Sequence, residues 1–198
     1  EAMEEASGQE FMEMARTWLK QTGFPVLKVS GRYDRDHRTY VLSLVQLYPE
    51  NGSPWTIPFQ ATLVDDEGND SAGIQKRVSA SEETIIFEDV APPAFLSLNR
   101  NSSFYGKVKD DADRGALRLQ ALKDSDVVNR FIALYRLAEQ ELIRLIEHPD
   151  DLPSEDFVTL YHMLLTDEYL SEEVGGLHLT LFDAVDDPRY THRYTALY

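Results

Sequence analysis

A hydrophobic period of two from Phe24 to about Lys109, with helical spacing on either side, predicts a multi-domain chain that is β first and α second. About seven short strands separated by turn residues point to an immunoglobulin-like antiparallel β-sandwich. Apolar stripes of helical period after Lys109 point to an incomplete, solenoid-like α-helical array, and one amphipathic helix precedes the sandwich. The expected boundaries are residues 1–23 for the N-terminal helix, 24–112 for the sandwich and 113–198 for the start of the helical array.

The first helix opens on a capping box, Ser7-Gly8-Gln9-Glu10, and presents Phe11, Met14, Ala15, Trp18 and Leu19 on one face. Gly23 and Pro25 stop it. Tyr40, Leu42, Leu44, Gln46 and Tyr48 then share one strand face, and Val41, Ser43, Val45 and Leu47 the other. Ile57, Phe59, Ala61 and Leu63 alternate into the polar turn Asp65-Asp66-Glu67-Gly68-Asn69. Shorter strands are expected at 75–78, 84–87, 95–100 and 104–109, with Asn51-Gly52-Ser53-Pro54, Gly73 and Pro92-Pro93 as turn signals. Asp110, Asp111 and Asp113 lead into the helices. The first long one carries Val127, Phe131, Leu134, Leu137, Ala138, Leu142 and Leu145, and His148-Pro149 ends it. Ser154 and Ser171 each begin a further helix, and Pro188 opens a fourth.

Composition narrows the function. With 35 acidic and 19 basic residues the net charge is −16, which argues against nucleic acid or an anionic membrane surface as partner. No cysteine is present, so disulfides, thiolate metal sites and cysteine nucleophiles are excluded, in keeping with a cytoplasmic location. No apolar run approaches the roughly 20 residues of a membrane span. Both ends read as cut: Glu1-Ala2-Met3-Glu4-Glu5 is neither a signal peptide nor a start, and 190–198 stop inside a helical pattern.

Four segments in register resemble one family. They are Ala2-Met3-Glu4-Glu5-Ala6-Ser7 leading to Trp18 and Thr22-Gly23-Phe24-Pro25-Val26; Tyr40 to Gln46 followed by Pro54-Trp55-Thr56-Ile57-Pro58-Phe59; Pro93-Ala94-Phe95-Leu96-Ser97-Leu98-Asn99-Arg100 with Phe104; and Asp124-Ser125-Asp126-Val127-Val128-Asn129-Arg130-Phe131. Their order is similar to that of the bacterial-type aminopeptidase N (gluzincin alanyl aminopeptidase) family. The resemblance runs from the end of that family's catalytic domain, through its sandwich, into its helical C-terminal domain. It covers residues 1–147 well and is looser from Leu152 onward. Arg100-Asn101-Ser102-Ser103-Phe104 departs from the family's Arg-x-Phe-Ser-Ala-Pro-Val, and Phe131 stands where the family has Trp.

The resemblance implies a parent zinc hydrolase that removes N-terminal residues from peptides. Its metal is held by His-Glu-x-x-His and a downstream Glu, and a Gly-x-Met-Glu-Asn motif grips the free amine. None of His37, His148, His162, His178 and His192 begins such a motif. No catalytic, metal or substrate-binding residue is therefore carried over, and zinc is expected in the parent alone. Asp65 to Asp70 lacks the glycine and glutamate of a calcium loop and reads as a solvated turn. Ser97, Ser102 and Ser103 have no triad partners in view, and His178 and His192 read as structural.

The expected role is structural: a non-catalytic segment whose sandwich sets the missing catalytic domain against the rest of the helical domain. Phe11, Met14, Trp18, Trp55 and Phe131 are the expected interdomain packing residues. Peptide substrate would meet only the parent. The alternative is an independent immunoglobulin-like module that binds a protein or carbohydrate. The first reading predicts exposed apolar faces on the first and last helices, and the second an exposed aromatic patch on the sandwich.

Overall fold

A computed structural model describes residues 5, 6, 8, 12–48 and 52–170. The expected Ser7–Glu10 capping box, the turn residue Asn51 and the helices expected from Ser171 and from Pro188 lie wholly or partly outside these residues. The chain divides into two compact units, one made of residues up to 65 with 69–111, the other of 66–68 with residues from 112 onward.

Among the described residues, the first unit contains a helix, α1 (Met12–Lys20), and the strands β1 (Val26–Asp34), β2 (Thr39–Leu47), β3 (Ile57–Val64), β4 (Asp70–Val78), β5 (Glu82–Phe87), β6 (Phe95–Leu98) and β7 (Lys107–Lys109). They form a four-stranded sheet of order β5-β2-β1-β7 and a three-stranded sheet of order β4-β3-β6. The alternation dictates the layering. Leu27 and Val29 of β1, Tyr40, Leu42 and Leu44 of β2, and Ile57, Phe59, Ala61 and Leu63 of β3 are buried in one core with Val78, Ile85 and Phe87. Each large apolar side chain closed off in this way contributes about 1.5–3 kcal/mol.

Four expectations about the strands change. Gly73 does not turn the chain; it lies inside β4, opposite Thr62 of β3, and the strand reaches back to Asp70. β4 is an edge strand, where a missing side chain removes little packing. The strand expected at 95–100 ends at Leu98, because Asn99 is left-handed (φ 51°) and Arg100–Ser102 form a 3-10 turn. The strand expected from Phe104 shrinks to Lys107–Lys109, since the Phe104 amide is held by the Asn99 side chain at 3.0 Å rather than by a neighbouring strand. Finally, the sandwich is not wholly antiparallel. β7 enters after a crossover from the other sheet and pairs parallel to β1, with Val26 opposite Lys107.

The buried side of α1 is also rotated from expectation. Thr17 is buried and Trp18 half-buried, whereas Leu19 is 83% exposed. The helix turns toward the polar anchors on the sandwich described below, and Leu19 moves off the contact.

The second unit contains α2 (Arg114–Lys123), α3 (Val127–Glu147) and α4 (Glu155–Leu165). Side-chain oxygens cap all three: Asp113 accepts from Ala116, Asp126 from Val128 and Asn129, and Ser154 from Phe157. His148 is the C-terminal cap of α3. Leu117, Ala121, Ala133, Leu134, Leu137, Leu160, Leu164 and Leu170 make its core. Among the described residues, no helix is long and apolar enough to cross a membrane.

Gly31 of β1 offers a direct check on the core. The Tyr40 ring lies over it, and a Cβ there would come within 1.8 Å of the Tyr40 hydroxyl. Burial pushes the Tyr40 phenol up to about 12, helped by the charges of Asp111 and Asp110. Gly31→Ala is expected to destabilise the sandwich by about 1–3 kcal/mol in urea unfolding, and Tyr40→Phe to be much milder. Because Tyr40 is held neutral, its contribution is present below pH 10 and is lost as pH rises through about 12.

Candidate functional site

The most constrained polar cluster in the sandwich unit joins α1 to the sandwich. It begins at Gln46, the one polar residue on the buried face of β2. Its side chain donates to the carbonyls of Trp55 (2.9 Å) and Ala80 (3.0 Å) and accepts from the Trp55 amide (2.9 Å). The amide thus does for an irregular segment what a neighbouring strand would do, satisfying backbone groups that are out of reach of water. Trp55, pinned on both sides, is 1% exposed.

The Trp18 ring of α1 meets the Trp55 ring at 5.2 Å between centroids, tilted by 58°. The Trp18 indole N–H donates to the Thr56 carbonyl (2.8 Å), and the Thr56 amide donates to the Thr17 hydroxyl (3.4 Å). One turn further, Gln21 donates to the Ser53 carbonyl (3.0 Å) and accepts from the Ser53 amide (2.8 Å). The contacts are aromatic, amide and hydroxyl in kind, and no charged side chain takes part in those named.

Of the expected packing residues, Trp18 and Trp55 are therefore brought together, Met14 lies half-buried on α1, and Phe131 lies half-buried on α3 beside Tyr135 (6.4 Å between centroids). Phe11 lies outside the described residues. His37 is exposed and bonds Asp34 at 3.0 Å, His148 caps α3, and His162 is exposed on α4. Among the described residues, no three His, Cys, Asp or Glu side chains gather as metal ligands. The Asp65–Asn69 turn is closed on itself, the Asp65 carboxylate accepting from the Asn69 amide at 2.8 Å.

Sequence reasoning missed two hubs. Gln46 is one, and Glu141 of α3 is the other. Glu141 is 3% exposed, accepts from the Ser154 amide (2.6 Å) and hydroxyl (2.9 Å), and pairs with Arg144 (2.7 Å). Both were legible as polar residues interrupting an apolar face, which burial demands be paired.

The family described as "Domain of unknown function (DUF3458) Ig-like fold" matches residues 23–111. The puromycin-sensitive aminopeptidase of Caenorhabditis elegans is 26% identical over 168 residues, covering 78% of this chain. Over the residues these matches cover, the chain is similar to an immunoglobulin-like domain family and to part of an aminopeptidase. It spans 18% of the length of that curated relative. The fold also matches a crystal structure of Legionella pneumophila aminopeptidase A in complex with aspartic acid, with a TM-score of 0.80 and 23% identity over 99% of this chain and 24% of that one.

Two of the segments that carried the aminopeptidase N resemblance contain corners. In Asp124 to Phe131, Asp126 caps α3, and Asp124 accepts from the Asp126 amide (2.9 Å) and the Gln120 side chain (3.1 Å). Arg130 donates to the Ala121 carbonyl (2.9 Å) and pairs with Asp167 (2.8 Å). In the third segment, Asn99 accepts from the Ser103 hydroxyl and the Phe104 amide and donates to the Phe104 carbonyl, closing the 3-10 turn.

Two outcomes check this reading. Gln46→Leu leaves the Trp55 amide, the Trp55 carbonyl and the Ala80 carbonyl without this partner, so urea unfolding followed by tryptophan fluorescence should show a loss of about 3 kcal/mol or more. Burial pushes the Glu141 carboxyl up, but hydrogen bonds from Arg144 and Ser154 outweigh it and hold the pKa at about 2. Its stabilising effect is full above pH 4.5 and is lost as pH falls toward 2. Acid unfolding of the helices, read by circular dichroism, should become less pH-dependent between pH 4.5 and 2 in Glu141→Gln, which should also be less stable at neutral pH.

Proposed function

We propose that this chain is the non-catalytic scaffold of a zinc aminopeptidase that removes N-terminal residues from peptides. In this reading the sandwich sets the catalytic domain against the helical domain, and α1 is the element by which the catalytic domain reaches the sandwich. The observation that carries it is the pairing of a well-anchored helix with exposed apolar side chains on the same element. α1 is held through Trp18 and through Gln21 directly after it, yet it exposes Met12 (66%) and Leu19 (83%). On the later helices Val128, Ile132, Val158, Met163, Leu165 and Tyr169 are exposed as well. Apolar side chains left in water on ordered helices fit surfaces that face further protein.

The residues present do not fit zinc. The sequence contains no His-Glu-x-x-His, and the described residues offer no clustered donors, so no catalytic step is assigned to this segment. The peptide substrate and the metal belong to the parent, which acts in the cytoplasm in this reading.

One observation favours the alternative of an independent binding module. Phe24 and Tyr105 form an edge-to-face pair at 6.0 Å on the sandwich, with Tyr105 76% exposed. The two readings are tested by different measurements. The purified chain should release no chromophore from an alanyl p-nitroanilide and retain less than about one tenth of an equivalent of zinc after dialysis. Chelator-sensitive hydrolysis would contradict the scaffold reading. Retention of the chain on a glycan array, lost on Tyr105→Ala, would establish the module instead.

A further inference from the structure

A pocket in the helical unit combines three kinds of chemistry that nothing above uses. Its volume is about 220 Å³, and it lies among α2, α3 and α4, lined by Arg114, Gly115, Arg118, Leu137, Asp156, Phe157 and Leu160. Leu137 and Leu160 are each 2% exposed and, with Phe157, form an apolar wall. An enclosed apolar cavity of about 150 Å³ suffices for a benzene ring, so the volume of this open pocket is of the order an apolar side chain needs.

The charges beside that wall are not equivalent. Arg114 donates to the Ser154 hydroxyl (3.2 Å) and lies 3.6 Å from the buried carboxylate of Glu141, so its charge is already answered. Arg118 touches only the Asp156 carbonyl (3.3 Å) and the Met163 sulfur (3.8 Å), with no carboxylate within ion-pair distance among the described residues. Asp156 stands in the first turn of α4, where the helix dipole favours its charge, and among the described residues its carboxylate has no ion-pair partner. The pocket thus offers one open cation, one open anion and an apolar wall.

We infer that this pocket binds a small zwitterion with an apolar side chain, that is, a free apolar α-amino acid. Its carboxylate meets Arg118, its ammonium meets Asp156, and its side chain lies on Leu137, Phe157 and Leu160. A fork of guanidinium donors suits a carboxylate, and burial of the apolar part supplies the rest of the affinity. The inference rests on the pocket's chemistry and not on the parent's peptidase activity, so either can fail alone.

The test is calorimetric and NMR titration of the 198-residue chain with L-leucine, N-acetyl-L-leucine, L-leucinamide and glycine. L-leucine should bind saturably in the millimolar range. Removing its carboxylate (L-leucinamide), its charged amine (N-acetyl-L-leucine) or its side chain (glycine) should each weaken binding by about tenfold or more, the loss expected for one charged or apolar contact. Arg118→Ala should weaken L-leucine by a similar factor. Asp156→Asn should weaken L-leucine while leaving N-acetyl-L-leucine unchanged. No saturation by about 50 mM L-leucine would overturn the inference, as would equal binding of all four compounds. The ligand series on the unmodified chain decides the matter even where a variant loses its fold.

Discussion

The Gln46 side-chain amide sits where the apolar face of β2 would otherwise continue, and the sandwich unit depends on it. Two of its three hydrogen bonds hold Trp55 in a buried position that no strand partner supports, and the third reaches the Ala80 carbonyl. Trp55 in turn is the surface on which Trp18 rests. A leucine at position 46 would fill the core about as well. It would leave backbone groups buried without these bonds, and the cost of that exceeds the gain in apolar area. The polar residue is therefore the specific one, and the apolar residues around it supply bulk.

From that clamp the placement of α1 follows. A nine-residue helix has little stability by itself. Here it is held at Thr17, Trp18 and Gln21 through backbone groups of residues 53–56, contacts that specify orientation as well as affinity. In the helical unit Glu141 has the corresponding part, tying the start of α4 to α3 through Ser154. In each unit a buried polar side chain thus organises a junction between elements. This suits a segment whose proposed work is to hold other parts of a larger enzyme in position rather than to do chemistry.

Much of the sandwich was legible because alternation is a strong signal where one face is buried. Leu42 and Leu44, or Ile57, Phe59 and Leu63, leave little choice of face. The helix caps at Asp126 and Ser154 were visible as side-chain acceptors preceding apolar stripes. The parallel pairing of β7 was not legible, since three residues carry no register and the partner is fixed by the crossover. Nor was the end of β6, where left-handed Asn99 and the 3-10 turn override an apparent strand. α2 was not delimited because only Leu117, Gln120 and Ala121 on it are buried, too sparse a stripe for its period to stand out. The junction residues were readable as buried aromatics, but that Trp18 meets Trp55 depends on a turn that periodicity does not describe.

The central claim is that α1 and the sandwich are one cooperative body bolted at Gln46. Native-state hydrogen exchange across α1 and the amides of Trp55 and Thr56 tests it most directly. The account predicts that α1 amides exchange only through the same opening that exposes the β2 and β3 amides, and that in Gln46→Leu both lose protection together. Fast exchange of α1 while the sandwich amides stay protected, unchanged by Gln46→Leu, would contradict it.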